Sequence, residues 1–411
     1  MKKRFLLWDN PCIAVYALVG VLLLVGGINV FSASFVKAQG MFGDGLYFLL
    51  LYYVYALLGI VAIAIIRYFG YKFWLNKKLL YLALAVVLGM LIAVEFVGEV
   101  NNGAARWLKI GPLKLQPSEI AKPLLIMIAA KYLGNVMKRD ERLSQCLGDC
   151  LKVIIPTLVI GYLVYRQPDM GTAAIIVALV MGLFVVAGLP MLWVTSMGIL
   201  GVVGGGILAF SSEYRAHRFM VWLDPWLDAQ GRGYQTIQSL KAIGSGGLTG
   251  TGWGHGAAKF AFLPESHTDF AFAIFCQENG LIGAMLLLLV FCLLCAAFCK
   301  IAFHTRDKVG FLLAVGVTFL IIGQAVSNMA MVCGLLPVIG VPLTFISYGG
   351  TSMVISMAAI GLLLSVYDEE ERLQKLEAEP PENAAVICAL CIAGGGSGEA
   401  FFFIGCAKTF C

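Results

Sequence analysis

Long uninterrupted apolar runs constrain this chain more than any other feature. They recur near residues 12–31, 46–66, 79–98, 119–134, 152–166, 170–188, 190–210, 269–298, 309–333 and 347–367. A helix needs about 20 apolar residues to cross the hydrocarbon of a bilayer. Only 13% of the 411 residues are charged and 60% are hydrophobic, whereas a soluble domain carries about a quarter charged residues. An all-α fold is therefore expected, a polytopic membrane protein of about ten transmembrane helices. Lys2-Lys3-Arg4 before the first run resembles the start of a signal peptide. The run exceeds the roughly 7–15 residues of a signal core, so a retained first helix is expected.

The net charge of +5 says less than where the charges lie. With the N-terminus inside, the short inner loops hold Arg67, Lys72, Lys77, Lys78, Lys138, Arg139, Arg142, Lys300, Arg306 and Lys308. The short outer loop near 35–45 holds only Lys37. Lys and Arg collect on the cytoplasmic side of membrane proteins. This bias puts both termini in the cytoplasm and one long interval outside, a large extracytoplasmic loop of about 211–268 between helices 7 and 8.

That interval is where chemistry is expected. It holds Tyr214, Arg215, His217 and Arg218, then Trp222-Leu223-Asp224-Pro225-Trp226, and then glycines from Gly244 to Gly256. It closes on Leu263-Pro264-Glu265-Ser266-His267-Thr268-Asp269. Three of the chain's four histidines lie in it. A loop this long without evident secondary structure is functional or disordered, and its aromatic and basic content argues against a plain disordered linker.

Some charges fall in or beside the apolar runs, where ionisable residues mark functional paths. Glu119 and Lys122 follow Gln116-Pro117-Ser118, with Ser118 a candidate helix cap. Their spacing puts them on one helix face. They form either an interfacial pair with Lys122 reaching outward or the wall of a polar cavity. Glu278 lies about nine residues, or roughly 13 Å, into its helix and needs a partner or a water-filled cavity. Asp169, after Pro168, reads as a helix cap. Asp269 is different: Ser266 or Thr268 can cap its helix, so this acid is surplus to structure. A carboxylate at a half-desolvated interface can take a proton from a sugar hydroxyl.

The 12 cysteines show no disulfide framework. Cys292, Cys295 and Cys299 share a helix face with no polar company and read as core packing rather than a metal site. Cys388 and Cys391 form a single CxxC in a tail with no usable period, and one such pair without a second set of ligands is read as incidental.

Several motifs stand in order. They are Asn102-Gly103-Ala104-Ala105-Arg106-Trp107-Leu108, Gln116-Pro117-Ser118-Glu119, Gln167-Pro168-Asp169-Met170-Gly171-Thr172 and Gly233-Tyr234-Gln235. Leu263–Phe270, Gly334-Leu335-Leu336-Pro337 and Pro342–Gly350 complete the series. Together they resemble the SEDS family (shape, elongation, division and sporulation) of bacterial cell-wall polymerases over about residues 12–370. Asp224-Pro225-Trp226 and the Asn102 lead-in look more like the FtsW/SpoVE branch than the RodA branch.

The resemblance implies a transmembrane domain over 1–370 with a cytoplasmic tail, 371–411, expected to be disordered. It implies a peptidoglycan glycosyltransferase of the bacterial cytoplasmic membrane that polymerises lipid II on the outer face. The family's essential acid falls on Asp269, and its Glu and Lys after Gln-Pro-Ser fall on Glu119 and Lys122. Asn279 departs from the second Glu that members often carry there.

In this reading Asp269 deprotonates the acceptor hydroxyl. Arg106, Arg215, Arg218, Lys241, Lys259 and a divalent cation (Mg or Mn) are candidates for the leaving pyrophosphate, while His267 and Glu278 complete the expected substrate contacts. Expected partners are lipid II, the undecaprenyl-linked glycan strand, a class B penicillin-binding transpeptidase and other division or elongation proteins; no nucleic acid is expected. The rivals are a lipid II flippase, for which no inverted repeat is visible, and a scaffold that recruits a transpeptidase.

Overall fold

The structure, a computed structural model, describes residues 10–101, 104–110, 113–140, 145–190, 192–193, 195–196, 198–199, 204, 213–231, 233–260 and 263–378. The chain divides into two compact units, Met1–Tyr367 and Asp368–Cys411. Of the second unit, residues 368–378 are described and are helical. Cys388, Cys391 and the rest of the tail from residue 379 lie outside the described residues.

Nine apolar helices make up the described membrane part. Eight are long and apolar enough to span: α1 (Pro11–Phe42), α2 (Tyr47–Phe69), α4 (Lys77–Val97), α5 (Pro117–Lys138), α6 (Leu147–Arg166), α10 (Ala271–His304), α11 (Lys308–Val332) and α12 (Gly350–Ala378). A one-turn helix, α3 (Tyr71–Trp74), links α2 to α4, and α7 (Met170–Val186) is a shorter apolar helix. The span expected over 190–210 falls mostly outside the described residues. Among the described spans, the two of lowest mean hydropathy, α5 and α12, are the most buried. Lipid rewards apolar surface, so the most apolar helices line the outside and the less apolar ones pack on protein.

Local signals set the ends. Asn10 accepts the Cys12 N–H and Pro11 opens α1, which stops where Gly43 turns left-handed at φ 71°. At 32 residues this helix runs about 48 Å. It overshoots the expected 12–31, with Ala38 still buried, and carries Met41 and Phe42 beyond its buried stretch. The cap assigned to Ser118 is not there: Gln116 occupies the cap position of α5 without a side-chain bond. Asp169 does cap α7, accepting the Thr172 N–H at 3.2 Å.

Two segments depart from the sequence reading. The segment before α5 folds as a three-stranded antiparallel sheet, β1 (Glu99–Asn101), β2 (Ala104–Ile110) and β3 (Leu113–Leu115). Trp107 pairs with Glu99, and Leu108 with Leu115. The long loop before α10 is not structureless either: it contains α8 (Glu213–Leu223), α9 (Tyr234–Gly246) and short 3-10 turns at Pro225–Asp228 and Ala257–Lys259.

α10 breaks at Gly280, whose φ of 65° and ψ of −167° are open essentially only to glycine. The loop fills the break. Leu281 and Ile282 donate their N–H groups to the carbonyls of Gly247 and Leu248, and Thr251 and Gly252 donate to those of Gln277 and Glu278. A Cβ at Gly250 would fall on the Glu278 carbonyl. The glycines thus let two backbones touch and exchange the hydrogen bonds the broken helix gives up.

Candidate active site

Asp269 lies just before α10, at the N-terminal end of the break-containing helix. Neither it nor its neighbours cap that helix. Phe270 holds the cap position without a side-chain bond, Ser266 donates to the Ala33 carbonyl, and Thr268 donates to Glu265. Among the described residues, the Asp269 carboxylate takes no hydrogen bond or ion pair. It faces a cavity of about 490 Å³ lined by two sets of side chains. One set is charged: Lys37, Arg106, Lys114 and Glu265. The other is aromatic: Phe42, Tyr47, Phe48, Tyr55, Trp107 and Tyr348.

Charge around Asp269 is uneven. Burial raises its carboxyl to about 7, with Glu265 and Asp169 adding to the rise and Arg106 opposing it. Arg106, from β2, donates to the Pro168 carbonyl at 2.6 Å, and its Nε lies 3.8 Å from Asp169. Gly340 sits between Arg106 and Asp269; a Cβ there would be 3.5 Å from one and 3.6 Å from the other. His267 is buried against Phe48 and Tyr348, with ring centroids 4.9 and 6.1 Å away. Burial, helped by Lys37, lowers its imidazole to about 4, so it is neutral at physiological pH.

Glu119 and Lys122 stand behind the wall rather than in it. They are 4% and 1% exposed and 2.7 Å apart, so Lys122 does not reach outward to the interface. Its ammonium also donates to Gln324 at 3.0 Å, and Gln324 donates to Ser352 and to the Pro342 carbonyl, two residues that line the cavity.

A second buried pair lies at the break in α10. Lys259 meets Glu278 at 3.0 Å, and Ser32 of α1 donates to the same carboxylate. The partner that Glu278 requires is thus a lysine carried in by the long loop before α10.

A sequence profile described as "Cell cycle protein", built on FtsW, RodA and SpoVE, matches residues 13–372. The chain belongs to the FtsW/RodA/SpoVE family. Stage V sporulation protein E of Bacillus subtilis is 35% identical over 357 residues, 87% of this chain and 97% of that protein. The probable peptidoglycan glycosyltransferase FtsW of Geobacter sp. (strain M18) is 35% identical over 346 residues, 84% and 94% of the two chains. Among solved structures, a chain from a study of polymerization and crosslinking by a peptidoglycan synthase complex superposes with a TM-score of 0.71 at 28% identity. It covers 87% of this chain and 97% of its own. RodA, the rod shape determining protein of Thermus thermophilus, gives 0.64 at 25% identity, covering 87% and 96%.

Of the residues the sequence marked, this family member brings Arg106, His267 and Asp269 together at the cavity. Glu119 and Lys122 back its wall through Gln324, while Lys259 and Glu278 pair with each other away from its lining. Lys241 is exposed, 5.7 Å from the Trp226 ring centroid. The side chains of Arg215 and Arg218 lie outside the described residues. Sequence reasoning missed Lys37, Lys114 and Glu265 as cavity-lining charges, and Gln324 as the link to the ion pair. Gln324 and Asn328, one turn apart in an apolar run, were a readable signal: an intramembrane polar pair needs partners.

Proposed function

We propose that this chain is a peptidoglycan glycosyltransferase that polymerises lipid II into glycan strands, with Asp269 as the general base. The observation that carries the reading is a carboxylate with no structural partner, poised near neutrality in a cavity that also presents Lys37, Arg106 and Lys114. A base near the working pH is the most effective one. Asp269 accepts the proton of the acceptor GlcNAc 4-hydroxyl. The oxygen forms a bond to the anomeric carbon of the growing strand, and the bond to undecaprenyl pyrophosphate breaks with inversion. The three cations face the negative charge that develops on the departing pyrophosphate. The aromatic wall offers flat apolar faces to sugar rings and to the first prenyl units.

The divalent cation expected from sequence is not built into this scheme. Among the described residues no group of three His, Cys, Asp or Glu side chains is arranged to hold a metal ion. No step here depends on a cation. Both termini are assigned to the cytoplasm and the cavity to the outer face. The proposed partner is a class B penicillin-binding transpeptidase, in keeping with the complex in which a structural relative was studied. A flippase reading has less support: the buried charges Glu119, Lys122, Lys259 and Glu278 are paired.

The deciding experiment uses Asp269→Asn in the purified full chain, with polymer length read on a gel and membrane abundance measured alongside. Asn keeps the size and removes the base, so polymer formation should fall about 10²–10⁴-fold while lipid II binding persists. Near-normal polymer from this variant would sink the general-base role.

A further inference from the structure

Two buried asparagines do matching work on either side of Phe270. Asn29, on α1, donates through Nδ2 to the Ala271 carbonyl at 3.1 Å and to the Ile346 carbonyl at 3.4 Å. Asn328, on α11, donates through Nδ2 to the Asp269 and Val341 carbonyls, both at 2.7 Å. Each amide therefore ties the start of α10 to the same strap, the segment 340–348 between α11 and α12. A third tie joins the two segments directly, where the Tyr348 N–H donates to the His267 carbonyl at 2.8 Å. The strap is itself pinned, since the Tyr52 hydroxyl donates to the Phe345 carbonyl at 2.6 Å.

Both asparagines are 0% exposed, and in both the Oδ1 atom is buried without a hydrogen-bond partner. Leaving such a group unpaired costs about 1–3 kcal/mol. Leucine, branched at the same carbon, would fill each site and remove that unpaired oxygen but would strip the donor from two main-chain carbonyls, so what the amide adds over packing is those bonds. The two donors on one nitrogen do something leucine cannot. They fix the main chain of residues 269–271 relative to the strap that supplies Gly340 and Pro342 to the cavity wall. Since the Asp269 carboxylate has no side-chain partner among the described residues, its place in the cavity is set by its backbone.

We propose that Asn29 and Asn328 are positioning residues for Asp269, a pair of amide clamps that hold the reacting carboxylate at its working distance from the acceptor hydroxyl. The inference rests on the reading of Asp269 as the general base. A displacement of about 1 Å at a reacting group can cost about 10²-fold in rate. Neither asparagine lines the cavity, so loss of either acts on turnover rather than on substrate capture.

The test is steady-state polymerisation of lipid II by the full-length protein carrying Asn328→Leu, Asn29→Leu or Asn328→Ser, with Asp269→Asn beside them. Thermal unfolding in detergent is measured on the same preparations. We expect kcat to fall about 10–100-fold with KM within about threefold of normal, the mark of a lost transition-state interaction. Unfolding temperature of the leucine variants should fall modestly, because the carbonyls each amide served lose that donor while one unpaired side-chain oxygen is removed, so kcat is compared per folded protein. Wild-type kcat in Asn328→Leu and Asn29→Leu would overturn the proposal. So would a rate loss that merely follows the folded fraction, which is what a purely structural amide predicts. Should Asn328→Leu fail to insert, Asn328→Ser and Asn29→Leu carry the same decision. An active Asp269→Asn would instead overturn the reading beneath the proposal, so the two failures are told apart.

Discussion

If Asp269 is the base, the rate of polymerisation is tied to its ionisation, and the structure says which neighbours set it. Burial is the main cause of its rise to about 7, Glu265 adds to it, and Arg106 opposes it. The active form is the carboxylate, so activity must increase with pH through that value. A group titrating near 7 is about one-tenth ionised at pH 6 and about nine-tenths at pH 8, which makes the expected gain about tenfold over that interval.

Two substitutions test the cause with opposite signs. Glu265→Gln removes a like charge, makes the carboxylate easier to form, and moves the rising limb to lower pH. Arg106→Gln removes the stabilising cation and moves the limb to higher pH. Asp169, also felt by Asp269, is unchanged in both variants. His267 stays neutral across the range because its own value is pushed down to about 4. The assay is initial rate of polymer formation from lipid II between pH 5.5 and 9. Ionisation of the substrate is common to all three proteins and cancels in the comparison. A flat profile from 6 to 8, or limbs that move the same way in both variants, would refute the reasoning.

Breaking the buried pair with Lys122→Met leaves Glu119 charged and alone, and should cost about 3–5 kcal/mol of stability. The double variant Glu119→Gln/Lys122→Met should recover most of it in detergent unfolding, and failure to recover would deny simple pairing. Gly280→Ala puts a Cβ against Gly250 and Leu248 at a φ of 65°. It should cost at least about 1–3 kcal/mol, read as a lower unfolding temperature. A cysteine replacing the exposed Gln230, in an otherwise cysteine-free protein, should react with an impermeant reagent from outside intact cells. One replacing Lys138 should not; the reverse pattern would turn the cavity to the cytoplasm.

Much of the site was legible because its residues are exceptional for their surroundings. An acid that no helix cap required, at the end of a polar loop, stood out at Asp269. A Glu and a Lys three residues apart in an apolar run had to face one another, and Glu119 and Lys122 do. Among the loop's basic residues Lys259 misled, because charge in a sequence has no direction. Lys259 was read as a contact for pyrophosphate and instead neutralises Glu278, while Lys37 and Lys114, far apart in sequence and set in ordinary company, line the cavity.

The sheet was missed for a related reason. Three short strands are held mainly by cross-strand partners, and β2 takes its identity from pairing with both Glu99–Asn101 and Leu113–Leu115.

The sequence by itself determined that the chain crosses a membrane many times and where most of the crossings lie. Apolar length is a local property that lipid reads directly. It also determined which residues were too polar for their places. Only the tertiary structure decided how those residues are used: that Asn29 and Asn328, nearly three hundred positions apart, hold carbonyls on either side of Phe270, that Gln324 ties an ion pair to a cavity wall, and that a lysine from the long loop neutralises a glutamate at a helix break. Each is a hydrogen bond or ion pair between segments distant in the chain. Such partners are chosen by what packing brings within about 3 Å, and no local pattern records that choice.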